Sequence, residues 1–306
     1  MKTIKNKWFS AIMIIFLLAI LSFIVSGFIS VFLGGEASGG NVAIIPIKGV
    51  IIVDNLKIFG QQVSSSSSII DSIKKANKNP EIKAIVFEIN SPGGSAVASE
   101  EIANTIKKTN KTTIAWIREI GTSGAYWIAS SCDKIVANRM SITGSIGVLA
   151  SYLEFSGLLQ DYNITYQRLV SGEYKDIGSP FKHLTEEERR LFQSRIDKIH
   201  EFFIEEVAKN RNISEERVRE IATGMFYLGG EAKEMGLIDV LGGKEEVKEI
   251  IEKELNISVS FVSYKEEKKL IDLLGELLSE QSFFMGRGIG SSLFDMRTIR
   301  GLEVWT

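Results

Sequence analysis

Gly121-Thr122-Ser123-Gly124-Ala125-Tyr126 places a serine among small residues at the head of a stretch, 123–131, that reads as a helix. A hydroxyl there lies beside helix-terminal N–H groups that favour a developing oxyanion, and the N–H of Gly124 is placed to be one donor. Taken alone, Ser123 is more ordinary as a helix cap. The pattern is not the Gly-x-Ser-x-Gly elbow, because residue 125 is Ala. A second turn, Asn90-Ser91-Pro92-Gly93-Gly94, ends the apolar run 82–89. Without Cβ atoms, Gly93 and Gly94 let a backbone N–H approach a ligand closely. The carboxyl ends of strands in open α/β sheets are where ligands bind. A plain strand-to-helix turn fits this motif equally well.

A nucleophilic serine needs a base, and the chain has only two histidines. His183 sits beside Lys182 before an acidic run and reads as surface; His200 lies on an amphipathic stretch. Neither is placed near the turns above, so a Ser-His-Asp triad is disfavoured. A lysine serves instead if burial disfavours its ammonium form. Lys175 lies in a loop, 171–180, after an apolar strand. Glu173 and Asp176 would hold it protonated unless they face elsewhere, and by local sequence it reads as solvated. Thr143 and Ser145 flank Gly144 in an otherwise apolar strand. Their hydroxyls could orient a lysine amine, or could satisfy a turn. No metal set or cofactor motif stands out: Gly286-Arg287-Gly288-Ile289-Gly290 follows no strand, opens no helix and lacks dinucleotide spacing.

The elements that must position these residues alternate. Strands are expected at 42–53 (interrupted at Lys48-Gly49), 82–89, 112–117, 134–137, 142–148 and 164–170. Helices are expected within 64–78, where one of a run of serines caps the first turn, and at 96–108, 123–131, 152–159, 185–210 and 214–223. This alternation implies an α/β fold with a largely parallel sheet. No internal repeat of fixed period is present.

Residues 8–33 are uncharged and long enough to span a bilayer as a helix. Lys2, Lys5 and Lys7 precede them, which predicts a cytoplasmic stretch 1–7, a single anchor and a main domain outside. Residues 34–41 read as a linker, 42–264 as the catalytic domain and 265–306 as a tail. In the tail, 265–280 forms an amphipathic helix and the rest is a glycine-rich end, ordinarily mobile or else docked on a neighbour. The core suits one large domain or two small ones. Apolar residues make up 44% and charged residues 24% of the 306, as in folded proteins. A net charge of −2 gives nucleic-acid binding no support. The single cysteine, Cys132, forms no intrachain disulfide.

Four motifs in order and register, Asn-Ser-Pro-Gly-Gly at 90–94, Thr-Ser-Gly-Ala-Tyr-Trp-Ile-Ala at 122–129, Thr-Gly-Ser-Ile-Gly-Val at 143–148 and Ser-Gly-Glu-Tyr-Lys at 171–175, resemble the signal peptide peptidase A family. Residues 226–243 look like that family's closing segment, and the similarity spans about 42–255 in the manner of its short Gram-positive-type form. The resemblance implies a Clp protease/crotonase-like fold and a serine endopeptidase without metal or cofactor. It makes Ser123 the nucleophile, Lys175 the base, Ser145 a group orienting the lysine, and the N–H groups of Gly94 and Gly124 the oxyanion hole. It also implies hydrophobic peptide substrates such as remnant signal peptides, a single-pass cell-membrane protein with its catalytic domain on the extracytoplasmic side, and a ring-like homo-oligomer. Ala125 departs from the second glycine common after the family's serine. The rival readings are a crotonase-like acyl-thioester enzyme, a membrane-associated regulatory protease and a non-catalytic oligomeric scaffold on the same fold.

Overall fold

A computed structural model describes residues 2–33, 39–54 and 62–264. The elements run α1 (Lys2–Leu33), β1 (Val42–Lys48), β2 (Val50–Ile52), β3 (Val63–Ser65), α2 (Ser66–Lys78), β4 (Ala84–Ser91), α3 (Ala96–Ile106) and β5 (Thr112–Thr122). They continue with α4 (Gly124–Ser130), β6 (Lys134–Ala137), β7 (Ile142–Gly144), α5 (Ser156–Asp161), α6 (Glu186–Arg211) and α7 (Glu215–Ile221). The last are β8 (Phe226–Leu228), α8 (Gly229–Glu234), β9 (Val240–Leu241), α9 (Lys244–Leu255) and β10 (Phe261–Ser263).

The main sheet has the order β10-β1-β4-β5-β6-β9, with every neighbouring pair parallel. β7 joins the far end of β5 in parallel and pairs antiparallel with β8. The apolar runs that predicted buried strands split between two faces, because successive side chains alternate. Ile85, Phe87 and Ile89 of β4 join Ile69 and Ile73 of α2, Ile102 of α3, Trp127 of α4 and Phe203 of α6 in one core. Ala84 and Val86 join Val247 and Ile251 of α9 in the other. The result is a mixed α/β architecture with a mostly parallel sheet, consistent with the Clp/crotonase-like expectation.

α6 opens with a reciprocal cap: the Thr185 hydroxyl accepts the Glu188 N–H at 3.1 Å, and the Glu188 carboxylate accepts the Thr185 N–H at 3.0 Å. Two expectations between β7 and α6 fail. Residues 164–170 form no strand, and the helix expected at 152–159 is confined to Ser156–Asp161. Composition and β-propensity suggested a strand, but among the described residues no strand pairs with 164–170 to complete its hydrogen bonds, and a lone strand has no stability of its own. Leu169 is 96% exposed and Leu149 85%.

Among the described residues no helix is long and apolar enough to cross a membrane. The α1 side chains of 12–26 are exposed. Most of the expected linker and the whole of the expected tail, 265–306 with its amphipathic helix, lie outside the described residues.

Candidate active site

β5 delivers Ser123 to the site. It ends at Thr122, and α4 starts at Gly124, so a single residue must turn the chain from strand to helix. Ser123 does so at φ 53° and ψ −127°, a conformation that L-residues rarely adopt. Its N–H donates to the Gly144 carbonyl at 2.8 Å, and its own carbonyl accepts the N–H groups of Tyr126 and Trp127 at 2.8 and 3.0 Å. Its hydroxyl caps nothing and has no hydrogen-bond partner among the described residues. The helix-cap alternative is therefore set aside: the side chain is partly exposed and free. Although the Gly-x-Ser-x-Gly spacing is missing, the strand–serine–helix geometry is that of a nucleophile elbow.

The Gly93-Gly94 turn packs directly on this elbow. A Cβ added to Gly93 would stand 2.8 Å from the Gly124 nitrogen and 3.0 Å from the Ser123 Cβ. A Cβ added to Gly124 would stand 3.5 Å from the Gly94 nitrogen. Both glycines of the turn have positive φ, 98° and 155°, so the motif needs glycine for conformation as well as for space. The Gly93 N–H is taken by the Ser91 hydroxyl at 3.1 Å, and the Gly93 carbonyl by the Ile51 N–H at 2.9 Å. Among the described residues the N–H groups of Gly94 and Gly124 donate to nothing. Two free donors beside a free hydroxyl make a cradle that could hold a tetrahedral oxyanion.

Ser145 lies on the other side. Gly144 pairs with Thr122, and the next residue, Ser145, has φ 49°. Its N–H donates to the Met225 carbonyl at 2.9 Å and its hydroxyl to the Gly224 carbonyl at 3.1 Å. Thr143, the other hydroxyl of that motif, is committed to the Gly121 carbonyl at 2.9 Å. The fold thus gathers Gly94, Ser123, Gly124 and Ser145 at the carboxyl ends of β4, β5 and β7.

Lys175 makes no side-chain hydrogen bond with any of them. Its side chain is exposed and makes no hydrogen bond or ion pair among the described residues. Its acidic neighbour is nevertheless removed from it. The Asp176 carboxylate takes the Arg168 guanidinium at 2.6 and 2.9 Å and the Lys182 ammonium at 3.2 Å. The Arg168 hydrogen bonds pull the Asp176 pKa down to about 2.

His183, expected at the surface, is 70% exposed through its side chain but has two partners. Its Nε2 lies 3.0 Å from the Ser156 hydroxyl and its Nδ1 2.6 Å from Glu154. This is the connectivity of a serine–histidine–carboxylate relay. Yet Ser156 is only 7% exposed, and its N–H donates to the same Glu154 carboxylate. A developing oxyanion there would face a carboxylate, so the array serves as a tie. Together with the Phe155 N–H on the Pro180 carbonyl at 2.7 Å, it closes the base of the loop that carries Lys175.

Sequence reasoning missed two supports. Ser99 on α3, fully buried, donates to the Ser95 carbonyl at 2.9 Å and fills the space beside Gly124. Ile51 on β2 grips the Gly93-Gly94 turn from the other side. A serine four residues after a capping serine carried no signal of this role, and Ile51 acts through its backbone alone. Among the described residues there is no group of histidine, cysteine and carboxylate side chains able to hold a metal ion.

The model of peptidase family S49 matches residues 105–258, half of the chain. A protein named as a protease in Methanocaldococcus jannaschii is 34% identical over 249 residues, covering 80% of this chain and 79% of its own length. A protein assigned as signal peptide peptidase SppA in Enterococcus faecium is 32% identical over 236 residues, 76% of this chain and 69% of the relative. Protease 4 of Haemophilus influenzae is 30% identical over 67% of this chain, which matches 33% of that longer protein.

Proposed function

The chain belongs to peptidase family S49, of the signal peptide peptidase A type, and is a serine peptidase; we propose that it works through a Ser123–Lys175 dyad on hydrophobic peptides at a membrane surface. The observation that carries the reading is the strained Ser123, its hydroxyl unpartnered beside the two unpaired N–H groups of Gly94 and Gly124.

In the proposed reaction the Ser123 hydroxyl attacks a peptide carbonyl while the neutral Lys175 amine takes its proton. The carbonyl oxygen becomes an oxyanion between the Gly94 and Gly124 N–H groups, a donor of this kind being worth roughly 3–4 kcal/mol. As the intermediate collapses, the C–N bond breaks, the leaving amine receives the lysine's proton, and an ester to Ser123 remains. Water attacks the ester with Lys175 again as base, which releases the acid and restores the hydroxyl. Ser145, beside Ser123, would accept a hydrogen bond from the amine and aim its lone pair. No step calls for a metal or cofactor.

The uncharged stretch 8–33 behind three lysines supports an N-terminal anchor, with the catalytic domain outside the cell membrane. A short linker would then hold the site near the bilayer, where hydrophobic peptides such as remnant signal peptides emerge. The exposed apolar side chains of the Lys175 loop, Leu153, Tyr162 and Leu169 among them, support a homo-oligomer in which a second copy covers the loop and removes Lys175 from water.

The test is hydrolysis of a fluorogenic hydrophobic peptide by the full chain in detergent, across pH 6–10. Ser123→Ala and Lys175→Ala should each lose at least about 10³-fold in kcat. Wild-type activity should climb with pH, because the base must shed its proton. A Lys175→Ala variant as active as wild type would remove Lys175 from the mechanism.

A further inference from the structure

The run Ser64–Ser68 was expected only to cap α2, and Ser65 does accept the Ser68 N–H at 3.5 Å. Its other contacts converge on the two ends of β2. The Ser64 hydroxyl donates to the Lys48 carbonyl and accepts the Lys48 N–H, both at 2.8 Å. The hydroxyls of Ser65, Ser66 and Ser67 all lie 3.2 Å from the Val53 carbonyl. A hydroxyl has one proton, and that of Ser66 goes to the Glu101 carboxylate at 2.7 Å, the shorter and charge-assisted bond. The Val53 carbonyl is thus left with the Ser65 and Ser67 hydroxyls as its shorter contacts, and it also accepts the Ser67 N–H at 3.4 Å. Residues 48 and 53 are therefore pinned on either side of β2.

β2 needs such pins. Among the described residues its one strand partner is β3, three residues against three, and a two-stranded ribbon of that size is marginal by itself. Its middle residue in turn sets the Gly94 donor. The Ile51 N–H donates to the Gly93 carbonyl at 2.9 Å, and the Ile51 carbonyl accepts the Ser95 N–H at 2.8 Å. The fit is close: a Cβ on Gly94 would stand 2.1 Å from the Ile51 oxygen. Displacement of β2 is thus displacement of the Gly94 N–H.

We propose that Ser64, Ser65 and Ser67 are positioning residues that, through β2 and Ile51, hold the Gly94 N–H where acyl transfer needs it. The proposal rests on the reading of Gly94 as an oxyanion donor. Misplacing a catalytic donor by a fraction of an ångström lowers the rate of the chemical step, whereas binding of the extended substrate is largely kept.

The experiment compares wild type, Ser65→Ala/Ser67→Ala and Ser72→Ala in the full chain in detergent. Ser72 is a matched control, a buried hydroxyl of α2 that bonds the Ser68 carbonyl at 3.0 Å and does not reach β2. Two readouts are taken: kcat and KM on a fluorogenic hydrophobic peptide, and inhibition by a peptide boronate, whose serine adduct is tetrahedral. The double variant should lose about tenfold in kcat and about tenfold in boronate affinity, with KM within about twofold; Ser72→Ala should match wild type. An unchanged kcat, or a lower kcat with full boronate affinity, would overturn the proposal. If the double variant does not fold, Ser67→Ala at its exposed site decides, with about a threefold loss in both readouts expected and no loss overturning it. A wild-type enzyme insensitive to the boronate would overturn the oxyanion reading itself. A sensitive wild type with unaffected variants would overturn the clamp alone.

Discussion

Replacing Gly124 by alanine probes the packing that the oxyanion cradle depends on. Gly124 is the first residue of α4, and alanine there is conformationally permitted and would favour the helix by roughly 0.5–1 kcal/mol. Space is the obstacle. The new Cβ would stand 2.3 Å from the Ser99 hydroxyl and 3.3 Å from the Ser99 Cβ. Ordinary contact begins near 3.4 Å, so about 1.1 Å of overlap must be relieved at the hydroxyl and only about 0.1 Å at the Cβ. Ser99 is fully buried and bonded to the Ser95 carbonyl, on the segment that follows Gly94 directly. Pushing it back strains both sides of the cradle, and overpacking of this kind costs about 1–3 kcal/mol. A loss of most of one oxyanion donor then gives a fall of about 10²-fold in kcat, roughly 3 kcal/mol in the transition state. The Gly124→Ala/Ser99→Ala double variant removes the overlapping oxygen and leaves the near-ordinary Cβ contact. It should recover to within about fivefold of wild type, a coupling of the size expected for residues in contact. Steady-state hydrolysis of a fluorogenic peptide, with a thermal melt of each variant, makes the measurement. Two results would refute the reasoning: a fully active Gly124→Ala, or a folded double variant that stays as slow as the single.

Two further predictions concern what holds the frame. The Arg211 guanidinium, 7% exposed, bonds Asp239 at 2.7 and 3.0 Å and the Gly236 carbonyl at 3.1 and 3.2 Å. Burial works to raise the Asp239 pKa, but the Arg211 hydrogen bonds and charge outweigh it and the net shift is downward. Asp239→Ala strands the arginine, so urea unfolding should show a loss of about 3–5 kcal/mol; a loss under 1 kcal/mol would mean that the arginine finds water or another partner. For Asp176 the folded pKa, about 2, lies below its ordinary value, chiefly through Arg168. Its hold on the Lys175 loop is therefore fully present above about pH 4 and is lost as pH falls toward 2. Protection from hydrogen exchange across 168–182, taken relative to the intrinsic rate at each pH, should fall in that window in wild type, and already at pH 5 in Asp176→Asn; equal protection in the two proteins at pH 5 would contradict this.

Much of the frame was legible because parallel strands buried on both faces leave unbroken apolar runs. The runs at β1, β4, β5 and β6, and the starts of α2, α6 and α7, lie within a residue or two of where the sequence places them. The close packing of the two glycine turns around Ser123 has a related basis: Gly93, Gly94 and Gly124 each stand where a Cβ would collide with backbone or with a buried hydroxyl. The segment between β7 and α6 was not legible. The residues of 164–170 have the composition of a strand, but strand formation needs a partner ladder, which the sequence of one chain does not reveal. Lys175 falls in the same segment, which is why the motif that named it says nothing of what surrounds its amine.

This division has a physical basis in where the strain of the site is stored. Ser123 in its observed conformation costs about 1–3 kcal/mol, and the chain persists in it because both neighbours are over-determined. On one side β5 is hydrogen-bonded to β4 and β7 up to Gly121 and Thr122. On the other, α4 is buried along its whole length, with Trp127 stacked on Phe203 at 4.7 Å and the Tyr126 hydroxyl donating to the Leu237 carbonyl at 2.8 Å. The two elements that flank Ser123 are thus anchored in the core, and the same residues that make the core legible hold the turn between them rigid. Lys175, the proposed base, has no such support among the described residues. Its loop is instead tied at the base by Glu154, Ser156 and His183 and within by Arg168, Asp176 and Lys182, all polar contacts that hold its shape while leaving its apolar side chains outward. The turn that carries Ser123 is therefore preorganised by the fold itself, and in the proposed mechanism control over the reaction rests on whatever removes the amine of Lys175 from water beside Ser123.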